Sequence, residues 1–228
     1  MCGRFSTITD INKVGKTLGL SWKTLIGFEP RYNIAPLQPI IAISNVKASE
    51  PDILSWGLVP QWSKSPESSR APINARLETI QEKPSFKGPF KNQRCLIPAN
   101  GYYEWQKQGV AKIPHYFSRQ DGDAFLFAGI KSIWASTDGS EIHSCAIITL
   151  PASNAIKPIH DRAPAIVATN HIEQWMDFSY YRGSDLVGLL APIGDQEIKI
   201  TQVETHVNNP SNDDSRCTQP IVKDSHAN

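Results

Sequence analysis

The stretch from residue 94 to residue 168 constrains the fold most strongly, because short apolar segments alternate there with turn signals. Asp121-Gly122 and Asp138-Gly139 are typical of tight turns between neighbouring strands. We predict strands at about 94–98, 101–107, 113–118, 124–134, 141–150 and 164–168. Consecutive short strands joined by tight turns favour an antiparallel meander over a helical bundle.

The flanking parts of the chain predict fewer elements. Ile11, Val14 and Leu18 follow Thr9 at helical spacing and predict a short helix that packs on the core. The segment 60–72 is polar and rich in proline, so we expect a surface loop there. The remaining predicted elements are strands at 39–46, 52–59 and 197–205 and helices at 170–177 and 184–190.

The predicted elements belong to one folding unit. No repeat, low-complexity segment or Gly/Ser-rich linker divides the 228 residues, and a chain of this length can bury a sizeable core. We therefore predict a single α+β domain, with a mostly antiparallel sheet curled into a barrel-like core and helices at its periphery.

Composition argues against several classes of protein. The four cysteines, at positions 2, 95, 145 and 217, lack the spacing of a metal finger or a disulfide framework, so we expect reduced thiols and no metal or other cofactor. A formal charge of +1 argues against a broad basic surface for duplex DNA. Apolar runs have only strand length and no signal peptide is recognisable, so we expect a cytoplasmic protein that does not enter a membrane.

The N-terminal Met1-Cys2-Gly3 predicts an unusual nucleophile. Aminopeptidases remove Met1 when the second residue is small, which would leave Cys2 with a free α-amine beside its thiol. An α-amine has a pKa near ~7.8, against ~10.4 for lysine, so it is uncharged far more often at neutral pH. Such an amine can capture an aldehyde as an imine, and the adjacent thiolate can then close a thiazolidine. A buried, unprocessed cysteine is the alternative interpretation.

Two further residues are suited to proton transfer. Glu104 stands between aromatic residues, where burial would raise its pKa towards neutrality; an outward-facing glutamate on an alternating strand is the alternative. His160 precedes Asp161 and Arg162 and could shuttle protons or polarise a sugar hydroxyl, or be a structural histidine.

Several other side chains could bind a ligand. Arg4, Arg76 and Arg162 offer planar donors for phosphate or carboxylate, although each alone is also typical of a surface or ion-pair arginine. Trp62, on the polar loop, could stack on a base. Asn74 could hydrogen-bond a ligand or cap its own turn.

Seven short blocks follow one another along the chain: Met1-Cys2-Gly3-Arg4-Phe5, Arg31-Tyr32-Asn33-Ile34-Ala35-Pro36, Trp56-Gly57-Leu58-Val59-Pro60, Asn74-Ala75-Arg76-Leu77-Glu78, Arg94-Cys95-Leu96-Ile97-Pro98-Ala99, Gly101-Tyr102-Tyr103-Glu104-Trp105 and Ile159-His160-Asp161-Arg162-Ala163-Pro164. In this order they resemble the SOS-response-associated peptidase (SRAP) family. The resemblance implies one SRAP domain at 1–222, with a loose tail at 223–228. One departure is the loop after Trp62, where Ser63 and Lys64 stand in place of a second aromatic residue.

The resemblance also implies a function. Proteins of this family protect abasic sites by crosslinking to them, so we expect Cys2 to attack the ring-opened aldehyde of an abasic site in single-stranded DNA and to form a stable thiazolidine crosslink that shields the site during the DNA damage response. Asn74 would orient Cys2 and the sugar, Glu104 would act as acid and base, and His160 would assist sugar opening. Flanking DNA would be held by Arg4, Trp62, Arg76, Phe86 and Arg162.

Other activities are chemically adjacent to this one. The imine would permit a weak abasic-site lyase reaction, and the family name describes a peptidase, so a thiol peptidase or autopeptidase that uses Cys2 is an alternative. A non-catalytic module that binds single-stranded DNA is another. We expect a monomer with no membrane partner, located in the cytoplasm and associated with the nucleoid when bound to DNA.

Overall fold

The chain forms fourteen strands and four α-helices within the residues that the computed structural model describes, which are 2–20, 29–48, 50–64, 66, 71–179 and 183–221. The strands are β1 Phe5–Thr7, β2 Arg31–Ile34, β3 Pro39–Ala42, β4 Asp52–Trp56, β5 Asn74–Arg76, β6 Arg94–Ala99, β7 Gly101–Gln108, β8 Ala111–Arg119, β9 Phe125–Ala135, β10 Glu141–Pro151, β11 Arg162–Pro164, β12 Ile166–Val167, β13 Leu190–Ala191 and β14 Ile198–Gln202. The α-helices are α1 Ile11–Thr17, α2 Pro84–Asn92, α3 Ile172–Met176 and α4 Gly183–Gly188. Short 3-10 helices occupy Leu77–Thr79, Thr169–His171, Thr205–Asn208 and Ser215–Thr218.

The strands form two sheets. The smaller sheet has five strands in the order β14-β8-β7-β1-β2, and all of its pairs are antiparallel. The larger sheet has nine strands along the path β13-β12-β9-β10-β4-β3, with β6 paired to β9 and with β5 and β11 paired to β10. Strand β10 runs parallel to β4 and to β5, whereas its pairs with β9 and β11 are antiparallel.

These elements confirm a single, mostly antiparallel α+β domain. The expectation of a barrel-like core is wrong in one respect, because the described strands form two open sheets and no closed barrel. A second difference is α2, which lies where no helix was predicted. Pro84 occupies its first turn, where a missing N–H costs nothing, and Pro89 is tolerated within the helix. The predicted tail at 223–228, Met1 and parts of the loop at 60–72 lie outside the described residues.

The described residues form three clusters of buried apolar side chains, and two of these clusters cover the larger sheet. Between the sheets, Phe5 and Tyr102 from the smaller sheet pack against Trp56 and Phe127 from the larger one. On the other face of the larger sheet, α1, α2 and α3 contribute a second cluster that includes Phe90 and Trp175. The larger sheet is therefore covered on both faces. Because the space between the two sheets is lined by apolar side chains, burying a polar group there without a hydrogen bond costs free energy.

Arg94 joins two of the peripheral helices to this core. Its guanidinium is fully buried, and it donates hydrogen bonds to the carbonyl oxygens of Phe90 and Lys91 in α2 and of Trp175 and Asp177 at the end of α3, at 2.7–3.1 Å. These carbonyls lie at helix C-termini, which lack partners within the helix and carry partial negative charge. Arg94 thus fixes how α2 and α3 lie on the sheet.

Gly101 allows β7 and β8 to approach closely on the face of β7 that carries Tyr103. A Cβ at this position would lie 2.4 Å from Cζ of Tyr116 and 2.5 Å from the carbonyl oxygen of Phe117. A larger residue would push the two strands apart.

Among the described helices, none is both long enough and apolar enough to span a membrane.

Candidate functional site

Four segments that are distant in sequence meet at the junction of the two sheets. Cys2 lies three residues before β1 and Glu104 lies on β7, and both strands belong to the smaller sheet. Asn74 begins β5 and His160 lies just before β11, and both of these strands belong to the larger sheet. Nδ2 of Asn74 donates a hydrogen bond to the carbonyl oxygen of Cys2 at 2.8 Å. Nε2 of His160 lies 3.9 Å from Oε2 of Glu104. The fold therefore brings together the four residues that were predicted to carry chemistry.

The Cys2 side chain is fully buried at this junction. Its Sγ lies 3.9 Å from the carbonyl oxygen of Arg4. Burial, followed by the nearby charge of Glu104, raises the pKa of the thiol far above its ordinary value. The interpretation of Cys2 as a buried cysteine is correct about burial, but the residue lies beside Glu104 and Asn74. Its thiol is protonated at neutral pH and needs a base before it can act as a nucleophile.

Glu104 has the acidity that such a base requires, and its charge acts on the Cys2 thiol. The residue is 4% exposed, and burial raises the pKa of its carboxyl to about 7. At neutral pH the carboxyl therefore exists in comparable amounts as an acid and as a base. This is the condition under which one group can both donate and accept a proton during a single reaction.

His160 is held in one tautomer. Its Nδ1 accepts a hydrogen bond from the backbone N–H of Arg162 at 3.0 Å, so we assign the proton of the neutral ring to Nε2, on the side of Glu104. The exposed carboxylate of Asp161 also lies 3.1 Å from Nδ1 and would favour a charged ring. Burial outweighs this influence and lowers the pKa of His160, so that the neutral form predominates at neutral pH.

The three predicted phosphate-binding arginines lie in different surroundings. One Arg4 guanidinium nitrogen donates to Oδ1 of Asn33 and to the carbonyl oxygen of Val207, and the group lies 5.6 Å above the Trp105 ring. Arg76 is exposed at the end of β5.

Arg162 lies largely inside the protein. It binds both carboxylate oxygens of Glu78 and donates to the carbonyl oxygen of Thr149 at 2.7 Å. It therefore fastens β10 and β11 together, close to His160. To reach a ligand in solvent, Arg4 and Arg162 would have to break hydrogen bonds that the structure describes. Arg76 is already exposed and would not have to break any described hydrogen bond.

The two predicted aromatic contacts to DNA are also unlike each other. Trp62 is 66% exposed and lines a groove of about 190 Å³ beside α2, so its ring is accessible to a ligand. Phe86 is 6% exposed and packs into the core from the inner face of α2. Because Phe86 belongs to a helix that the sequence did not predict, its burial was not expected, and its ring does not face the solvent.

One cluster outside this junction has the residue types of a metal site. The ligand atoms of His206, Asp214 and Cys217 all lie within 4.8 Å of one another. The Asp214 carboxylate, however, is already bound by the Arg216 guanidinium and by Nε2 of His206. An ion would have to displace both, so the donor set is better described as a hydrogen-bonded support for the C-terminal segment.

Sequence reasoning did not identify Glu78 or Tyr102 as part of this region. Tyr102 precedes Glu104 by two residues on β7, so strand alternation places both side chains on the same face. That signal was present in the sequence. The Glu78–Arg162 pair joins residues 84 positions apart, and no local pattern identifies such a pair.

Fold and site together define an α+β protein in which a buried Cys2, an amide, a carboxyl and an imidazole meet at the junction of two sheets. The chain belongs to the SOS response associated peptidase (SRAP) family, whose model matches residues 1–210. The abasic site processing protein YoaM of Bacillus subtilis is 35% identical over 215 residues, which cover 93% of this chain and 95% of YoaM. The abasic site processing protein HMCES of Xenopus tropicalis is 30% identical, with 86% and 67% of the two chains covered.

Solved structures agree with this assignment of the fold. A crystal structure of a protein from Bacteroides thetaiotaomicron has a TM-score of 0.86 and 27% identity to this chain. The match covers 97% of this chain and all of that protein.

Proposed function

We propose that this protein processes abasic sites in DNA by forming a covalent crosslink through Cys2. The observation that carries the proposal is the meeting of Cys2, Asn74, Glu104 and His160 at the junction of the two sheets. Relatives that align over most of the chain are named abasic site processing proteins, which supports the same conclusion.

The first step is capture of the aldehyde by the Cys2 amine after loss of Met1. The abasic sugar opens to an aldehyde at C1′ when the bond from C1′ to the ring oxygen breaks. The carboxylate form of Glu104 takes the proton of the C1′ hydroxyl and passes it to the ring oxygen, to which Nε2–H of His160 donates a hydrogen bond. The amine nitrogen attacks C1′, the carbonyl electron pair moves onto oxygen, and a proton passes from the nitrogen to that oxygen, which becomes a hydroxyl. Glu104, in its protonated form, donates a proton to that hydroxyl, and water leaves to give an iminium ion. Asn74 holds the Cys2 backbone so that the amine faces C1′.

The second step closes the ring. The carboxylate of Glu104, formed in the first step, accepts the proton of the Cys2 thiol. Sulfur bonds to C1′, the electron pair of the C=N bond returns to nitrogen, and a thiazolidine results. Because the pKa of the buried thiol is raised, closure depends on this proton transfer, and a carboxyl with a pKa of about 7 is suited to accept and later return the proton.

The DNA contacts that fit this site are few. Arg76 is exposed beside Asn74 and can bind a flanking phosphate, and the exposed ring of Trp62 can stack on a base. A formal charge of +1 suits local contact with single-stranded DNA, because the covalent bond provides the retention that a large basic surface would otherwise supply. Arg4 and Arg162 would contact phosphate only by exchanging their partners inside the protein.

Competing reactions are weaker in this geometry. The iminium ion permits β-elimination, so we expect a weak lyase activity that rapid ring closure suppresses. A peptidase reaction through the sulfur would require a thiolate, and burial of Cys2 disfavours the thiolate before any substrate is bound.

A denaturing gel tests the proposal. The purified protein is incubated with a single-stranded oligonucleotide that contains one abasic site, and a band of slower mobility is expected. An intact oligonucleotide gives no such band. The Cys2→Ala variant should lose the shifted band, whereas Cys95→Ala, which removes a different buried thiol, should keep it. A protein that retains residues ahead of Cys2 and still crosslinks at the normal rate would refute the role of the amine.

A further inference from the structure

The Tyr102 hydroxyl is a buried polar group that the proposed reaction leaves without a role. The side chain is fully buried, and its hydroxyl has no hydrogen-bond partner in the described part of the protein. Leaving a hydroxyl buried and unpartnered costs stability, and phenylalanine would fill the same space without that cost. Such a group points to a partner that is present only during function.

The backbone directs this hydroxyl towards the candidate site. Tyr102 and Glu104 are two residues apart on β7 and therefore lie on the same face of the strand. Tyr102 is paired with Phe5 on β1, three residues after Cys2. Its ring is stacked on Phe117 at 4.8 Å, with an interplanar angle of 9°, and contacts Phe127 edge to face. These two ring contacts leave the Tyr102 side chain little freedom to rotate away from the candidate site.

The electrostatic neighbours of the hydroxyl are the reacting groups. Apart from burial, the charges that influence it are those of Cys2 and Glu104, and Glu104 is in turn faced by His160 and Asp161. Burial raises the pKa of Tyr102 well above its ordinary value, so the hydroxyl keeps its proton at all pH values of interest. It can therefore serve as a neutral donor to a nearby anion.

We propose that the hydroxyl of Tyr102 donates a hydrogen bond to the Cys2 sulfur as the thiol loses its proton. This inference rests on the proposed function and concerns its second step. The thiol proton passes to the Glu104 carboxylate, the S–C1′ bond forms, and the C=N electron pair returns to nitrogen. Tyr102 keeps its own proton throughout and stabilises the charge that develops on sulfur.

A consequence is that Tyr102 sets the balance between crosslinking and strand cleavage. The iminium ion can either be closed by sulfur or lose a proton from C2′ and undergo β-elimination. A donor that accelerates closure shortens the lifetime of the iminium ion and lowers the yield of the cleaved strand. Removal of the donor should therefore change the products as well as the rate.

The test is a single-turnover comparison of wild type and Tyr102→Phe on an abasic single strand. Borohydride traps the iminium ion, and resistance to heat or acid reports the closed thiazolidine. We expect iminium formation within about twofold of wild type and closure slowed about tenfold or more, the range for a hydrogen bond to a charged atom. The cleaved strand should increase, and the rise of the closure rate with pH should move to higher pH because the thiolate is less stabilised.

Tyr103→Phe is the matched control. Tyr103 lies on the opposite face of β7, and its hydroxyl donates to the carbonyl oxygen of Tyr32 at 2.7 Å. This variant should melt at a lower temperature and close the ring at the wild-type rate. Tyr102→Phe should melt at the wild-type temperature or above.

The possible outcomes separate the two proposals. If wild type crosslinks and Tyr102→Phe closes the ring with the same rate and pH profile, the inference about Tyr102 is refuted and the proposed function stands. If wild type forms no adduct, both are refuted.

Discussion

Replacing Glu104 by Gln tests whether burial holds this carboxyl at a pKa of about 7. In the unfolded chain the pKa has its ordinary value of 4.5, and in the folded protein it is raised to about 7. The folded state therefore binds this proton more tightly, so the contribution of the Glu104 carboxyl to stability is greatest below pH 4.5 and falls as pH rises towards 7. An increase in pKa of this size lowers the unfolding free energy by about 3 kcal/mol between pH 4.5 and neutral pH.

Glutamine has the same shape but does not titrate. The Glu104→Gln variant should therefore lack this decline, with little difference from wild type near pH 4 and an advantage that grows to about 3 kcal/mol above pH 7. Because the residue is 4% exposed, solvent screening reduces the effect only slightly. Urea unfolding of both proteins between pH 4 and pH 9 measures the difference directly.

The way in which the difference in unfolding free energy changes with pH decides whether the pKa of Glu104 is raised by folding. A constant difference between the two unfolding free energies across this range would show that Glu104 has the same acidity in both states, and the reasoning about its burial would be wrong. If the proposed function is correct, the stabilised variant should also crosslink at least about a hundredfold more slowly, since general acid–base catalysis contributes that much or more. Stability and activity would then change in opposite directions.

Other variants test the remaining structural statements. Arg94→Met should lower the unfolding free energy by about 3–5 kcal/mol in chemical denaturation, because it strips a charged donor from four carbonyls, two of them buried, and Arg94→Lys should recover less than half of that loss. Gly101→Ala should cost about 1–3 kcal/mol in the same measurement, since its Cβ meets Tyr116 at 2.4 Å. Arg76→Gln should weaken binding to an intact single strand and lower the slope of log affinity against log salt by about 0.7, and an unchanged slope would show that Arg76 contacts no phosphate. Trp62→Ala should weaken the same binding by about 1–3 kcal/mol without changing that slope, as measured by fluorescence anisotropy.

Local patterns in the sequence account for much of the fold. Asp138-Gly139 predicted a hairpin, and β9 and β10 form it. Asp121-Gly122 was also predicted to mark a hairpin, but it connects β8 in the smaller sheet to β9 in the larger one. The predicted central strands form, but they are divided between two sheets and do not make one continuous meander. Glu104 was predicted to lie among aromatic side chains because its neighbours in sequence are aromatic, and burial raises its pKa as expected. These features depend on contacts between residues close in the chain or joined by a short turn, which local chemistry determines.

Features that depend on distant contacts were not predictable in the same way. Helix α2 was missed because Pro84 and Pro89 are usually signs of a break, whereas the first turn of a helix accepts proline. The parallel pairing of β5 with β10 joins residues 73 positions apart, and it is this pairing that carries Asn74 to Cys2. Arg162 has the sequence context of a phosphate ligand, yet Glu78 occupies it in the folded chain. In each case the deciding partner lies elsewhere in the sequence.

Burial of the site also determines the order of the proposed chemistry. Before substrate arrives, the pKa of the Cys2 thiol is raised by desolvation and by the Glu104 charge, so the sulfur is inert towards chance electrophiles. The amine carries no such penalty for its neutral, nucleophilic form and reacts first. The iminium ion that follows places a positive charge beside the thiol and the carboxyl, which favours the thiolate in the same enclosed space where it was disfavoured. In the proposed reaction the substrate itself would thus activate the second nucleophile, so that Cys2 would react through its sulfur only after an aldehyde has been captured.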